Sequence, residues 1–193
     1  MALLAADPSA ATAAEDAPPP VSSPALAAAA PALAATPDLV LIGYPVSGRS
    51  PRSIRESINE SRPSTDGGRF DARADYRYGF QVRGGANGEC DPATVEVTVV
   101  HTVTLPDLTT RDRLARRERE AWDRYFAALV GHEHNHVRIA AAGAEQMRTF
   151  MRQAPNCASM LAARDQLLAA VREAQAAYDR DTQHGRSEGA TYP

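Results

Sequence analysis

Hydrophobic residues along this chain fall into two rhythms, a period of two in the first half and a helical period in the second. Leu39-Val40-Leu41-Ile42 is a short apolar run stopped by Gly43 and Pro45, and it predicts a first strand. Ser50 is a good N-cap with Pro51 at the first helical position, and Ile54 and Ile58 then share one face of a short helix closed by Pro63 and Gly67-Gly68. Phe70, Ala72, Ala74, Tyr76, Tyr78 and Phe80 alternate with polar residues and glycine, which predicts a strand with one apolar face. Gly84 to Gly88 reads as a turn, and Val95, Val97, Val99, His101 and Val103 line one face of a second long strand over 94–104. An antiparallel sheet with one wet face accommodates both long strands.

From Thr109 the period changes. Leu114, Trp122, Phe126, Leu129, Val130, Val137, Ala140, Ala144 and Met147 recur at helical spacing, so a long helix is predicted from Arg111 to Arg152, capped by Thr109 and ended by Pro155. After Cys157, Leu161, Leu167, Leu168 and Val171 predict a second helix reaching about Tyr178. The expected fold is therefore α+β: a small antiparallel sheet with a short helix, packed on two long antiparallel C-terminal helices.

Composition divides the chain in two. Residues 1–37 hold 7 of the 14 prolines and 16 alanines, and read as a disordered Ala/Pro-rich tail or linker with too little apolar surface to order itself. Residues 38–193 form one domain with 21 acids against 21 bases, so the formal charge of −3 belongs to the tail. That balance argues against a nucleic-acid binder. All 21 bases are arginine, which excludes Schiff-base lysine chemistry and a Walker phosphate loop. No apolar run approaches the roughly 18 residues of a membrane span.

Cys90 and Cys157 stand 67 residues apart, a spacing that suits one structural disulfide in an oxidising compartment or two unpaired thiols. No basic n-region precedes an apolar stretch, the first basic residue being Arg49, so no leader is visible in the chain as written. An Ala/Pro tether of this kind nonetheless points to export, to the periplasm or beyond.

The chemistry concentrates in Gly131-His132-Glu133-His134-Asn135-His136. His132 and His136 are i and i+4 on a helix, so both imidazoles leave one face one turn apart, a spacing that lets them share a zinc ion. Glu133 lies about 100° around the axis, placed to take a proton from water and return it to a leaving amine. His134 points away from that face, and His101 on its strand is expected to be a satisfied core or sheet-face histidine rather than a ligand. A third ligand is required. The chain turns near Asn156, and a returning helix regains the motif's level near residues 176–180. Asp179, Asp181 and His184 stand at or just past that level; His184 is the more zinc-typical donor, with Gly185 beside it to bend the backbone inward, and Asp179 is its main alternative. Glu145 and Glu173 lie further from it. Tyr178, Tyr192 and Arg180 are candidate oxyanion donors.

These residues, together with Tyr44-Pro45-Val46-Ser47-Gly48, Tyr76-Arg77-Tyr78, the Cys90 loop, Thr104-Leu105-Pro106, Trp122, Cys157 and the terminal Tyr178-Asp179…Thr182-Gln183-His184-Gly185, resemble a family of bacterial proteins regarded as predicted secreted zinc-dependent proteases. The resemblance spans about 40–193. It implies a zincin-like domain over 38–193, export, a Cys90–Cys157 disulfide, Zn2+ on His132 and His136, Glu133 as general base, and His184 rather than Asp179 as third ligand. The expected function is a zinc metallopeptidase acting on a peptide or protein substrate, with no nucleic-acid partner. The rival expectation is a non-catalytic, zinc-stabilised envelope interaction module.

Overall fold

The computed structural model describes residues 23–65, 68–85 and 90–193. Most of the expected tail, residues 1–22, lies outside them, as do Gly67 and the Ala86-Asn87-Gly88 part of the expected turn. The remainder of that tail is a correction: Pro24–Ala29 (α1) and Pro31–Ala34 (α2) are helical. Proline, expected to break helices here, instead starts both, and Ser23 caps α1 through its hydroxyl. Leu26, Ala30 and Leu33 enter the core, so three small apolar side chains tie down a segment whose composition alone reads as linker.

Leu39–Val46 (β1) runs through Gly43 and Pro45, four residues past the predicted end. It is an edge strand, where the missing proline N–H need not break a ladder. Pro51–Ser61 (α3) starts where the sequence predicts, with Ser50 and Ser53 forming a reciprocal cap. Ser64–Thr65 (β2) and Gly68–Arg69 (β3) make a small ribbon, Arg73–Gln81 (β4) is the alternating strand, and Glu96–Leu108 (β5) is the second long strand.

The three-stranded sheet has the order β1-β5-β4. It is mixed rather than antiparallel: β4 pairs with β5 antiparallel, but β1 pairs with β5 in parallel, from Leu39 opposite His101 to Val46 opposite Leu108. Alternation reports which face is buried and is silent on pairing. Helix α3 supplies the crossover that lets β5 slot between β1 and β4.

The long helix Arg116–Arg152 (α4) begins later than predicted, because Arg111–Arg113 forms a separate 3-10 turn and Ala115 rather than Thr109 occupies the N-cap. Its 37 residues extend about 55 Å. Asn156 caps Cys157–Thr182 (α5), which folds back along α4 and is joined to the β4–β5 connection by the Cys90–Cys157 disulfide. Two apolar clusters support the frame. One gathers Leu33, Ile54, Ile58, Leu105, Trp122 and Phe126; the other packs Val97, Met147, Met151, Met160 and Val171 under the aromatic face of β4. His132 to His136 lie on α4 between them, and no described helix is long and apolar enough to cross a membrane.

Candidate metal centre

Helix α4 lifts His132 and Glu133 into a buried position because Leu129, Val130 and Val137 pack into the core around them. Helix α5 brings Asp179 to the same level, within the window that helix rise predicts. Nε2 of His136 lies 3.2 Å from Nε2 of His132 and 3.0 Å from Oδ1 of Asp179, and His132 Nε2 is 3.3 Å from the same oxygen. Three donor atoms thus form a nearly equilateral triangle.

The outer nitrogens are engaged elsewhere. Nδ1 of His132 donates to Oε2 of Glu188 at 2.9 Å, and Nδ1 of His136 donates to Oε1 of Gln175. Gln175 in turn donates to the His136 carbonyl at 2.9 Å, which fixes its own orientation. With protons held on both Nδ1 atoms by these acceptors, the two Nε2 atoms face each other and a carboxylate oxygen, where a cation can take the place of the Nε2 protons. Such an arrangement suits a cation. Tetrahedral bonds of about 2.0–2.1 Å require ligand-to-ligand distances of about 3.3–3.4 Å, close to those found. The residues therefore fit a zinc ion in both donor type and spacing.

Electrostatics follow from the same contacts. Burial would raise the Asp179 carboxyl, but hydrogen bonds with His132 and His136 hold it well below the usual carboxylate range. Both histidines are drawn down by burial and more strongly up by these acceptors, ending above their ordinary value. Glu133 is 4 % exposed. Burial pushes its carboxyl up to about 7, against the pull of His136 and His132. A carboxyl poised near neutrality can both accept and return a proton.

His184 stands beside this group rather than in it. Gln183 and His184 both adopt left-handed backbone, as does Gly185, and this turn carries the His184 ring outward to pack, tilted, against Phe70 with ring centres 5.2 Å apart. Its Nδ1 is 3.4 Å from Asp179 Oδ1. Gly185 does bend the chain inward, but the residue delivered is Glu188. A Cβ on Gly185 would sit 3.1 Å from Cγ of His132 and 2.9 Å from Cβ of Ala190, so glycine is required both by its φ of +78° and by the close approach.

Of the expected oxyanion donors, Tyr178 and Arg180 are otherwise occupied, whereas the buried Tyr192 hydroxyl has no hydrogen-bond partner among the described residues. Tyr178 stacks on His132 at 5.0 Å, and its hydroxyl accepts from Asn135 and donates to Glu188, both at 2.9 Å. Burial pushes it up to about 12. Arg180 pairs with Glu173, and Tyr192 is buried against Trp122 and Tyr125. Glu145 pairs with Arg148, away from the centre. His134 is half-buried, and His101 is buried on β5 with an unpartnered Nδ1, so it is not the satisfied core histidine expected. Sequence reasoning missed Gln175 and Glu188. Gln175 stands one helical turn before Asp179, so face bookkeeping could have found it; nothing in the pattern marks Glu188.

A cleft of about 710 Å³ opens over the centre, with His132, Glu133, His136 and Asp179 on its wall. Among the described residues, the His132–His136–Asp179 group is the one whose donor atoms converge closely enough to hold a metal ion. No curated protein matches the chain, and neither does any solved structure. Residues 43–185 match the family described as "Bacterial protein of unknown function (DUF922)", and the chain belongs to that family.

Proposed function

We propose that this chain is a zinc-dependent hydrolase of peptide bonds, exported from the cytoplasm, with His132, His136 and Asp179 as the metal ligands and Glu133 as general base. The observation that carries this reading is the convergence of two Nε2 atoms and one carboxylate oxygen beside a buried glutamate, on the wall of an open cleft. Bound zinc would polarise water and the scissile carbonyl. Glu133 takes a proton on its carboxylate and later delivers it to the departing amine, a role its buried position beside the three donor atoms suits. Glu188 and Gln175 hold the two imidazoles in the tautomer that keeps Nε2 free. The disulfide supports an oxidising compartment.

Glu133→Gln removes the proton carrier and leaves all three ligands. Expected are one zinc per chain by metal analysis and peptide hydrolysis lowered by about 10²–10⁴-fold. Undiminished hydrolysis in that variant would eliminate Glu133 as the base.

One observation favours the rival reading of a zinc-stapled interaction module: His184 lies close enough to Asp179 to swing in as a fourth ligand. X-ray absorption on the zinc-loaded protein separates the two. Two imidazoles with an exchangeable oxygen support the hydrolase, and three imidazoles with no exchangeable position support the module.

A further inference from the structure

The wall of the cleft is strongly basic away from the metal ligands. Arg55, Arg62, Arg69, Arg73 and Arg186 line it against Asp71, Asp75, Glu133 and Asp179, an excess of one positive charge that becomes three once a divalent cation is set against Glu133 and Asp179. That excess stands out in a domain whose acids and bases otherwise balance at 21 each.

The existing ion pairs do not cancel it. Asp71 is shared by Arg55 at 2.7 Å and Arg62 at 3.0 Å, and it also accepts from the Tyr125 hydroxyl at 2.9 Å. One carboxylate charge faces two guanidiniums, so one positive charge remains over. Arg73 is matched by Asp75. Arg69 donates to the Asn59 carbonyl, a neutral acceptor, and Arg186 has no ion-pair partner among the described residues. Both are exposed.

The position of these two matters as much as their charge. Phe70, next to Arg69, packs against His184, whose Nδ1 lies 3.4 Å from Asp179; Arg186 follows His184 by two residues. Two guanidiniums without an ion-pair partner among the described residues therefore line the same cleft as the metal ligands, one next to Phe70 in the chain and one two residues past His184. Guanidinium binds carboxylate through two parallel N–H donors, a geometry with high selectivity for acidic groups. A bound divalent cation would offset Asp179 and Glu133, leaving the basic excess to dominate the cleft.

We propose that the cleft selects acidic peptides, with Arg69 and Arg186 engaging Asp or Glu side chains that flank the bond to be cut. This rests on the hydrolase reading for what happens to the peptide, whereas the selection itself is a property of the cleft and is measured by binding.

The test uses the zinc-loaded Glu133→Gln protein and three amidated, fluorescently labelled nonapeptides of equal length, rich in Asp and Glu, in Ser, or in Lys. Anisotropy is expected to give affinity for the acidic peptide about tenfold or more above the Ser peptide in low salt, with the gap shrinking as salt rises. Arg69→Glu/Arg186→Glu should abolish the preference while zinc content and circular dichroism stay unchanged. If the double variant does not fold, Arg186→Gln alone should reduce the preference. A free-acid Ser peptide binding as tightly as the amidated acidic one would overturn the assignment to side chains. Equal binding of all three peptides, or tighter binding of an oligonucleotide or polyphosphate, would overturn the proposal altogether. Hydrolysis by the wild-type chain without acidic preference sinks this proposal and leaves the hydrolase reading intact. Acidic preference without hydrolysis does the reverse.

Discussion

At the scale of single residues, backbone conformation decides which candidate third donor reaches the two histidines. His184 is the better zinc donor by chemistry, yet it follows Gln183 into left-handed backbone and its side chain remains 58 % exposed. Asp179 is still on the last turn of α5, where the helix holds it at 3.0–3.3 Å from both Nε2 atoms. Position outweighs softness when the alternative must first reorganise a loop. Isothermal competition for zinc should therefore rank two variants clearly. Asp179→Ala is expected to lose more affinity than the roughly 10–100-fold that outer partners of a ligand contribute, and His184→Ala less than tenfold. The opposite ranking would make His184 the ligand and Asp179 its neighbour.

At the scale of elements, what could be read in advance depends on how local the physics is. The cap at Ser50, the alternation of β4 and the i, i+4 histidines on α4 are properties of a few adjacent residues, and they stand as the pattern predicts. Helix rise even gave the level of Asp179, because one turn between two rods is close to a ruler. The parallel pairing of β1 with β5 depends on which strand finds which edge, and no periodicity contains that. Glu188 meets His132 only through a glycine-dependent reversal after α5, equally invisible locally. Helices α1 and α2 are the sharpest case. Their alanines and prolines suggest linker, but Leu33 is fully buried with Ala30 beside it. Leu33→Ala should lower the unfolding free energy by about 2–4 kcal/mol in a urea titration, as for other buried leucines. A change below about 0.5 kcal/mol would return this segment to the status of a tail.

At the scale of the whole molecule, the convergence of the candidate metal ligands depends on two long helices keeping their register over a considerable distance. His132 and Asp179 sit near one end of the α4–α5 pair, and the disulfide sits at the other, where Cys157 opens α5. Between them, Gly143 lets Val171 and the Tyr78 hydroxyl approach α4 closely, and Tyr78 donates to the Ala140 carbonyl at 2.7 Å. The bridge closes a loop of 67 residues that includes β5 and all of α4. Chain entropy assigns such a loop a stabilisation of roughly 4 kcal/mol, exerted mainly on the unfolded state. The folded geometry at the metal end is held by its own packing and need not change when the bridge is removed. Cys90→Ala/Cys157→Ala is therefore expected to unfold at markedly lower urea, by about 2–4 kcal/mol, yet to bind zinc within about threefold of wild type while folded. Loss of zinc affinity at full foldedness would mean that the bridge sets the register of α5 against α4, and that the centre is assembled from both ends of the helix pair.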